Sequence, residues 1–405
     1  MTNGYDAAAL LEAADALLED AIVLRRAIHR FPEQGLHLPR TQSAVLEAIS
    51  SLPLDISVGR ELTSVVADLQ GTRGDGPTIL LRGDMDALPM SEDADVEFRS
   101  EVADGMHACG HDSHTAMLAA AARLLSDFRD SFAGRVRFMF QPGEEGYHGA
   151  RYMIDEGVLE GVDSVFALHV TPNAPSGVIA TKAGPIMAAA NVIHITVTGQ
   201  GGHASSPYLA NDPMPVAAEI VTALQVFTTR RISTFDPVVI TITKIRGGTT
   251  NNVIPEVVHL EGTLRSVSEG SRAKALVGIE RVVHHIAAAH EMSAEFTHVV
   301  GYPVVVNDSP FAGFTRDTAA RLFGDRNAVT MPAPVMGAED FSYLLNERPG
   351  AFAYLGVCPP GESPAHAHGC HSNRMVMDEQ AMRNGIAMYA GIALDYLAKN
   401  AGSTR

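Results

Sequence analysis

No tryptophan occurs in the 405 residues, and aromatic side chains make up only 6% of them. The composition therefore leaves the walls of a substrate pocket unspecified. Cysteine is equally scarce: Cys109, Cys358 and Cys370 are an odd set without CxxC spacing, which argues against a disulfide framework and for a reducing compartment. Basic residues are the minority, 30 against 47 acidic, for a formal charge of −17. That balance opposes nucleic acid or an anionic membrane surface as partner, and an anionic substrate would need local positive charge such as bound divalent metal. No apolar run approaches the length of a membrane span, and the opening MTNGYDAAALLEAADALLED carries acids where a signal peptide needs bases. A cytoplasmic protein with no membrane partner is the expectation. Internal repeats and low-complexity segments are missing as well.

What the chain does have is a tract dense in ligand-type side chains, MHACGHDSH at 106–114. Cys109 and His111 stand two positions apart, so they face one point only where the backbone is extended or turning. Gly110 permits that turn. The following TAMLAAAARLLSDF has apolar residues at helical spacing, which places the cluster in a loop at a helix N-terminus. There the helix dipole and a bound cation both favour a thiolate.

A chain of this length exceeds the usual limit of a single core, so two domains are expected. One helix is read over 6–30 and another from about 41. Three segments then share one design, an apolar strand running into polar residues: TILLRGDMDALP, VRFMFQPGEEG and SVFALHV. Strands apolar on both faces, alternating with helices over 115–128 and 150–156, predict an α/β doubly wound mixed sheet covered on both sides. Ligands of such sheets bind beyond the strands' carboxyl ends, so Asp84, Asp86, Glu144, Glu145 and His169 gather on one rim with the Cys109 loop. From about residue 187 the pattern becomes βαββαβ, the split-βαβ unit of a ferredoxin-like α+β sandwich. The α/β pattern returns with DTAARLF, the strand AFAYLGV, a loop HAHGCHSNR and a final helix over 378–399. The reading is thus one domain built from 1–186 and 303–405, with 187–302 inserted.

Thiolate, imidazole and carboxylate together suit borderline divalent ions such as zinc. Cys109, His111, Glu145, His169 and His371 come from four rim segments and supply donors enough for two ions. Two metals about 3.5–4 Å apart polarise a carbonyl and activate water without a protein nucleophile. The remaining need is a proton carrier. In Glu144-Glu145 the neighbouring side chains diverge, so one carboxylate can bind metal while the other serves as general base and then general acid.

Together LRRAIHRFPE, RGDMDALP, MHACGHDSHT, QPGEEG, SVFALHV, GQGGHASSP, GGTTNNVIPE, GTLRS, GAEDFSY and HSNRMVMDE resemble the co-catalytic metallopeptidases of the aminoacylase and carboxypeptidase type. They match the amidohydrolase branch in particular, with hippurate hydrolases, N-acyl-amino-acid amidohydrolases and the plant hydrolases of indole-acetyl-amino acids. The resemblance implies Cys109, His111, Glu145, His169 and His371 as ligands of two divalent ions (zinc, manganese, cobalt or nickel), and Glu144 as the acid/base. It implies that Asp86 orients a ligand, that His203 in the inserted lid domain stabilises the oxyanion, and that the lids form a homodimer in which His203 serves its own or the partner's site. Asn252 and Arg265 are the implied contacts of the substrate carboxylate. The substrate class that follows is a small N-acyl amino acid.

The chain departs from the family pattern at Asn373, where proline is usual, and at Gly143, where alanine is commoner. HLPR at 37–40 lacks the acid often found near there. His107, His114, His148, His366 and His368 are read as supporting, substrate-contacting or surface residues, and Cys370 is a competitor of His371. Three other functions are weighed against the amidohydrolase: a dipeptidase or carboxypeptidase, a non-catalytic metal binder, and an enzyme using Cys109 as thiol nucleophile. A retained Glu144 opposes the metal binder, which needs no proton shuttle.

Overall fold

The computed structural model describes residues 5–401 and separates into two compact units. The first comprises 1–184, 306–332 and 340–405, and the second 185–305 and 333–339. The short segment 333–339, read from sequence as part of 303–405, thus clusters with the inserted unit. Its Val335 N–H donates to the Ile186 carbonyl, and the Ala188 N–H is shared between the Val335 and Gly337 carbonyls.

In the first unit an eight-stranded mixed sheet runs in the spatial order Asp55–Val58, Val65–Gln70, Arg135–Gln141, Thr78–Asp84, Ser164–Thr171, Gly350–Gly356, Ile179–Thr181, Ala328–Thr330. The four central strands are mutually parallel, and the flanking pairs add antiparallel contacts. Every residue of Thr78–Asp84 and of Gly350–Gly356 is buried, as expected of parallel strands covered on both faces. The helices His111–Asp127, Met382–Asn400 and Ser309–Phe323 pack on the sheet. Phe138, Phe140, Phe166 and Tyr389 are among the fully buried side chains.

Connection order positions the site. From Thr78–Asp84 the chain passes through helix His111–Asp127 to Arg135–Gln141 on one side. It then passes through Gly149–Asp155 to Ser164–Thr171 on the other. The direction of winding reverses at Thr78–Asp84, and the crevice beyond its carboxyl end is where such sheets take ligands.

The second unit has a four-stranded antiparallel sheet in the order Val238–Gly247, Val257–Ser266, Ala189–Thr198, Ser293–Val300. Helices Pro213–Arg231 and Glu269–Ala289 connect the strands in the βαββαβ order. Burial alternates along Ala189–Thr198 and Val257–Ser266. The inward residues Ile193, Ile195, Val197, Leu260 and Leu264 pack with Ile220, Leu224, Ile279 and Val283 of the helices.

Three details differ from the sequence reading. The first helix is two, Ala7–Ala16 and Leu18–His29, with a turn at Leu17. The strands Asp55–Val58, Val65–Gln70, Ile179–Thr181 and Ala328–Thr330 were not anticipated, being short or lying at the sheet's flanks. The helix that follows the tract begins at His111 rather than 115, because Gly110 at φ +84° turns the chain sharply into it. Among the described residues no helix is long and apolar enough to cross a membrane.

Candidate metal centre

Gly110 sets the geometry of the tract. Its left-handed backbone favours glycine, and a Cβ there would lie 2.3 Å from Val170 Cγ2, so the turn and the close approach both demand it. Cys109 precedes the turn and His111 is the first helical residue, which aims both at the crevice beyond Thr78–Asp84. Cys109 Sγ lies 3.4 Å from His169 Nε2.

The helix then sorts the other polar residues of the tract. Asp112 points away from the cluster and accepts from Arg25 Nε at 3.1 Å and His29 Nδ1 at 2.7 Å. His114 is one turn on from His111, but both its nitrogens are committed: Nδ1–H donates to Asp84 at 2.6 Å and Nε2 accepts the Val170 N–H at 2.9 Å. The trio Asp84, His111, His114 has donor atoms close enough for an ion, yet His114 retains no lone pair to give it. His114 instead clamps the His169 strand to the Thr78–Asp84 strand.

Three other groups lying wholly within the first unit bring donor atoms within 4.8 Å of one another: Cys109, His111, His169; Cys109, Glu145, His371; and His111, Glu144, Glu145. The first two share Cys109, as a bridging thiolate would require. His111 is wholly buried, and among the described residues neither of its ring nitrogens has a hydrogen-bond partner. The Asp84 and Asp86 carboxylates stand 3.6 Å from the His111 ring, and Glu145 4.0 Å. Buried polar atoms left unpaired among carboxylates fit a bound cation. Burial disfavours charge on His111, yet Asp84, Asp86 and Glu145 outweigh it and raise its pKa to about 10. For Glu145 burial works the other way, but His371 at 3.2 Å and His111 keep the carboxyl below its usual range.

The supporting groups hold this set from behind. Asp86 Oδ1 and Oδ2 accept the Glu144 and Glu145 N–H groups, each at 2.9 Å, and so fix which way the two glutamates diverge. His169 Nδ1–H donates to the Val170 carbonyl at 2.7 Å, which turns Nε2 toward Cys109; burial holds its pKa well below the ordinary value. His371 adopts φ +68° and its N–H donates to the Ala108 carbonyl at 2.7 Å. Cys370, one residue earlier, meets Cys109: their contact and burial push the Cys109 thiol up, and the same contact draws the Cys370 thiol down. A buried network lies beneath. Arg82 donates to Gln141 at 2.8 Å and Asp340 at 3.0 Å and pairs with Asp84. Although burial opposes it, Arg82 with His111 and His114 keeps Asp84 well below the carboxylate range. The arginine inside the apolar run TILLRGD was the signal that could have disclosed this network.

His107, His148, His366 and His368 stand outside the three groups. In the second unit His203 pairs with Val253 across a two-residue ladder. The Ala204 N–H donates to the Asn252 carbonyl at 3.0 Å, so His203 and Asn252 are neighbours. His203 Nδ1 accepts the Ser205 N–H at 3.1 Å, which leaves the ring proton on the exposed Nε2. Arg265 is half-buried, and among the described residues its side chain donates to the Met336 carbonyl at 3.5 Å and meets no acidic partner.

A thiolate, imidazoles and carboxylates gathered at the switch point of an α/β sheet, with a buried glutamate beside them, define a metal-dependent hydrolase. The chain belongs to Peptidase family M20/M25/M40, whose profile matches residues 80–395. It is 38% identical to thermostable carboxypeptidase 2 of Saccharolobus solfataricus over 94% of this chain and 97% of that protein. It is 36% identical to an N-acetylcysteine deacetylase of Bacillus subtilis over 92% and 96%. A crystal structure of a dinuclear metal binding peptidase of the M20 family from Bacillus subtilis superposes with a TM-score of 0.81 at 33% identity, covering 94% of this chain and 99% of that one. The protein is accordingly an enzyme that hydrolyses amide bonds with bound metal.

Proposed function

We propose that the enzyme cleaves N-acyl amino acids to a carboxylic acid and a free amino acid. Two divalent ions would be held by Cys109, His111, Glu145, His169 and His371. The observation that carries this reading is the pair of donor groups sharing Cys109 around the orphaned nitrogens of His111. When bound, such ions polarise the amide carbonyl and ease ionisation of water. A thiolate with imidazoles and carboxylates favours zinc, manganese, cobalt or nickel over magnesium or calcium.

The chain's own residues do the rest. Glu144, buried and 3.4 Å from the Asp340 N–H, takes the proton of the attacking water and delivers it to the departing amine. Asp86 keeps Glu144 and Glu145 apart in their two tasks. The Nε2–H of His203 serves the oxyanion, in its own chain or a partner's, and Arg265 with Asn252 receives the substrate carboxylate. Arg265 has the character for it, a guanidinium in a half-buried place without an acidic neighbour.

Homodimerisation through the second unit is supported by the edge strand Ser293–Val300, which exposes Val299 and Val300; light scattering tests it. The three unpaired cysteines fit a cytoplasmic enzyme. The carboxypeptidase relative supports a second reading, cleavage of peptides from the carboxyl end. Side-by-side kcat/KM values for N-acetyl and N-benzoyl amino acids, dipeptides and blocked peptides separate the two. A preference of tenfold or more for peptides overturns the first. Unchanged turnover after exhaustive chelation, with metal content verified as nil, overturns both.

A further inference from the structure

Cys370 belongs to none of the three donor groups, yet it is not placed as an idle thiol. It directly precedes His371, whose N–H donates to the Ala108 carbonyl at 2.7 Å, one residue before Cys109. Backbone hydrogen bonding thus pins together the two segments that carry these cysteines. The Cys370 sulfur lies 4.0 Å from the Cys109 carbonyl oxygen and 3.6 Å from that of Val170. Both are reduced, and Cys370 is the more exposed of the pair. Cys358 lies apart, with its sulfur against the Pro359 and Glu362 carbonyls.

We propose that Cys109 and Cys370 are a modification site, forming a reversible disulfide with hydrogen peroxide as oxidant and so withdrawing a ligand from the metal centre. The more accessible Cys370 sulfur attacks one peroxide oxygen. The S–O bond forms, the O–O bond breaks, and hydroxide leaves and takes the thiol proton as water. Cys109 then attacks the sulfur of the resulting sulfenic acid. The S–S bond forms, the S–O bond breaks, and the Cys109 proton leaves with the hydroxide as a second water. His169 Nε2, 3.4 Å from Cys109 Sγ, is placed to carry that proton. Two thiols have lost two electrons, and peroxide has gained them. Bound metal engages Cys109 and protects the pair. That protection rests on Cys109 being a ligand, as proposed above; the disulfide itself does not.

The test compares full-length protein with metal bound and after chelation, exposed to hydrogen peroxide, alkylated under denaturing non-reducing conditions and mapped by mass spectrometry. The expected result in metal-free protein is a cross-link between the Cys109 and Cys370 peptides and a mass lower by about 2 Da. Cys358 stays alkylated, and dithiothreitol restores all thiols. The cross-link should form at least roughly tenfold more slowly with metal bound, since coordination removes the free thiolate. Oxidised protein should bind less manganese or zinc in equilibrium dialysis and recover on reduction. Cys370→Ser and Cys370→Ala should give no cross-link. Alkylatable Cys109 and Cys370 after peroxide, or sulfinic acid at either without a cross-link in the wild-type protein, would overturn the proposal. A cross-link that forms equally fast with metal bound would leave the disulfide standing and remove Cys109 from the ligands.

Discussion

The rim of the first unit and the His203–Asn252 ladder of the second carry different parts of the proposed chemistry and are built differently. On the rim nearly every group is buried and braced by a partner that does not itself bind metal: Asp86 by two backbone N–H groups, His169 by the Val170 carbonyl, Asp84 by Arg82 and His114. On the ladder His203 and Asn252 are exposed, held by a pair of two-residue strands and a turn through Ser205. The contrast follows from what each must meet. Ligands of an ion need a fixed geometry enforced by surrounding hydrogen bonds, whereas groups that address a substrate must stay accessible, which turns allow.

The sharpest break of this comparison is at the proton carrier. Glu144→Gln should lower kcat by roughly 100- to 10,000-fold, the range of general acid–base catalysis, while metal content by atomic emission stays at the wild-type value. Next comes the ladder: His203→Ala should reduce kcat by about 100- to 1,000-fold with KM little changed, and near-normal turnover would remove His203 from the mechanism. Asp86→Ala probes the bracing itself. It should cost about 10- to 100-fold in metal affinity or activity, read by equilibrium dialysis and by kcat/KM. Arg265→Ala should raise KM and leave kcat nearly intact, since binding alone is removed.

The remaining effect lies beneath the rim and concerns stability alone. Burial opposes a charged His29, but Asp112 and Glu92 outweigh it and raise the pKa to about 9. A pKa raised in the folded state stabilises fully below the unfolded value near 6.5 and loses that contribution as pH climbs through 9. His29→Gln should therefore cost on the order of 3 kcal/mol at pH 6, and the difference from wild type should shrink steadily toward pH 9.5. Urea unfolding of metal-free protein across this range checks it.

The sequence disclosed the parts of the fold whose burial is continuous. TILLRGD and SVFALHV read as doubly covered strands because nearly every position is apolar, and their polar ends marked the rim. The antiparallel flank Asp55–Val58 and Val65–Gln70 was illegible, since short, partly exposed strands lack that density. The donor residues of 106–114 could be seen together, but their directions could not. Those depend on the left-handed turn at Gly110 and on the phase of a helix that starts at His111. Asp112 lies in the same tract, and only the fold reveals that Arg25 and His29, more than 80 residues away, claim it. His114 likewise yields its lone pair to a backbone amide on a strand 56 residues on.

His371 sits at φ +68°, a conformation that penalises side chains bearing a Cβ by about 1–2 kcal/mol. Glycine would relax the loop there, so on backbone energetics the substitution His371→Gly is a stabilising one. If His371 is a ligand, as proposed above, the same exchange deletes an imidazole from the metal cradle. Selection for heat resistance and selection for turnover therefore pull this position in opposite directions, and a library screened for thermal survival alone would enrich inactive glycine variants at residue 371.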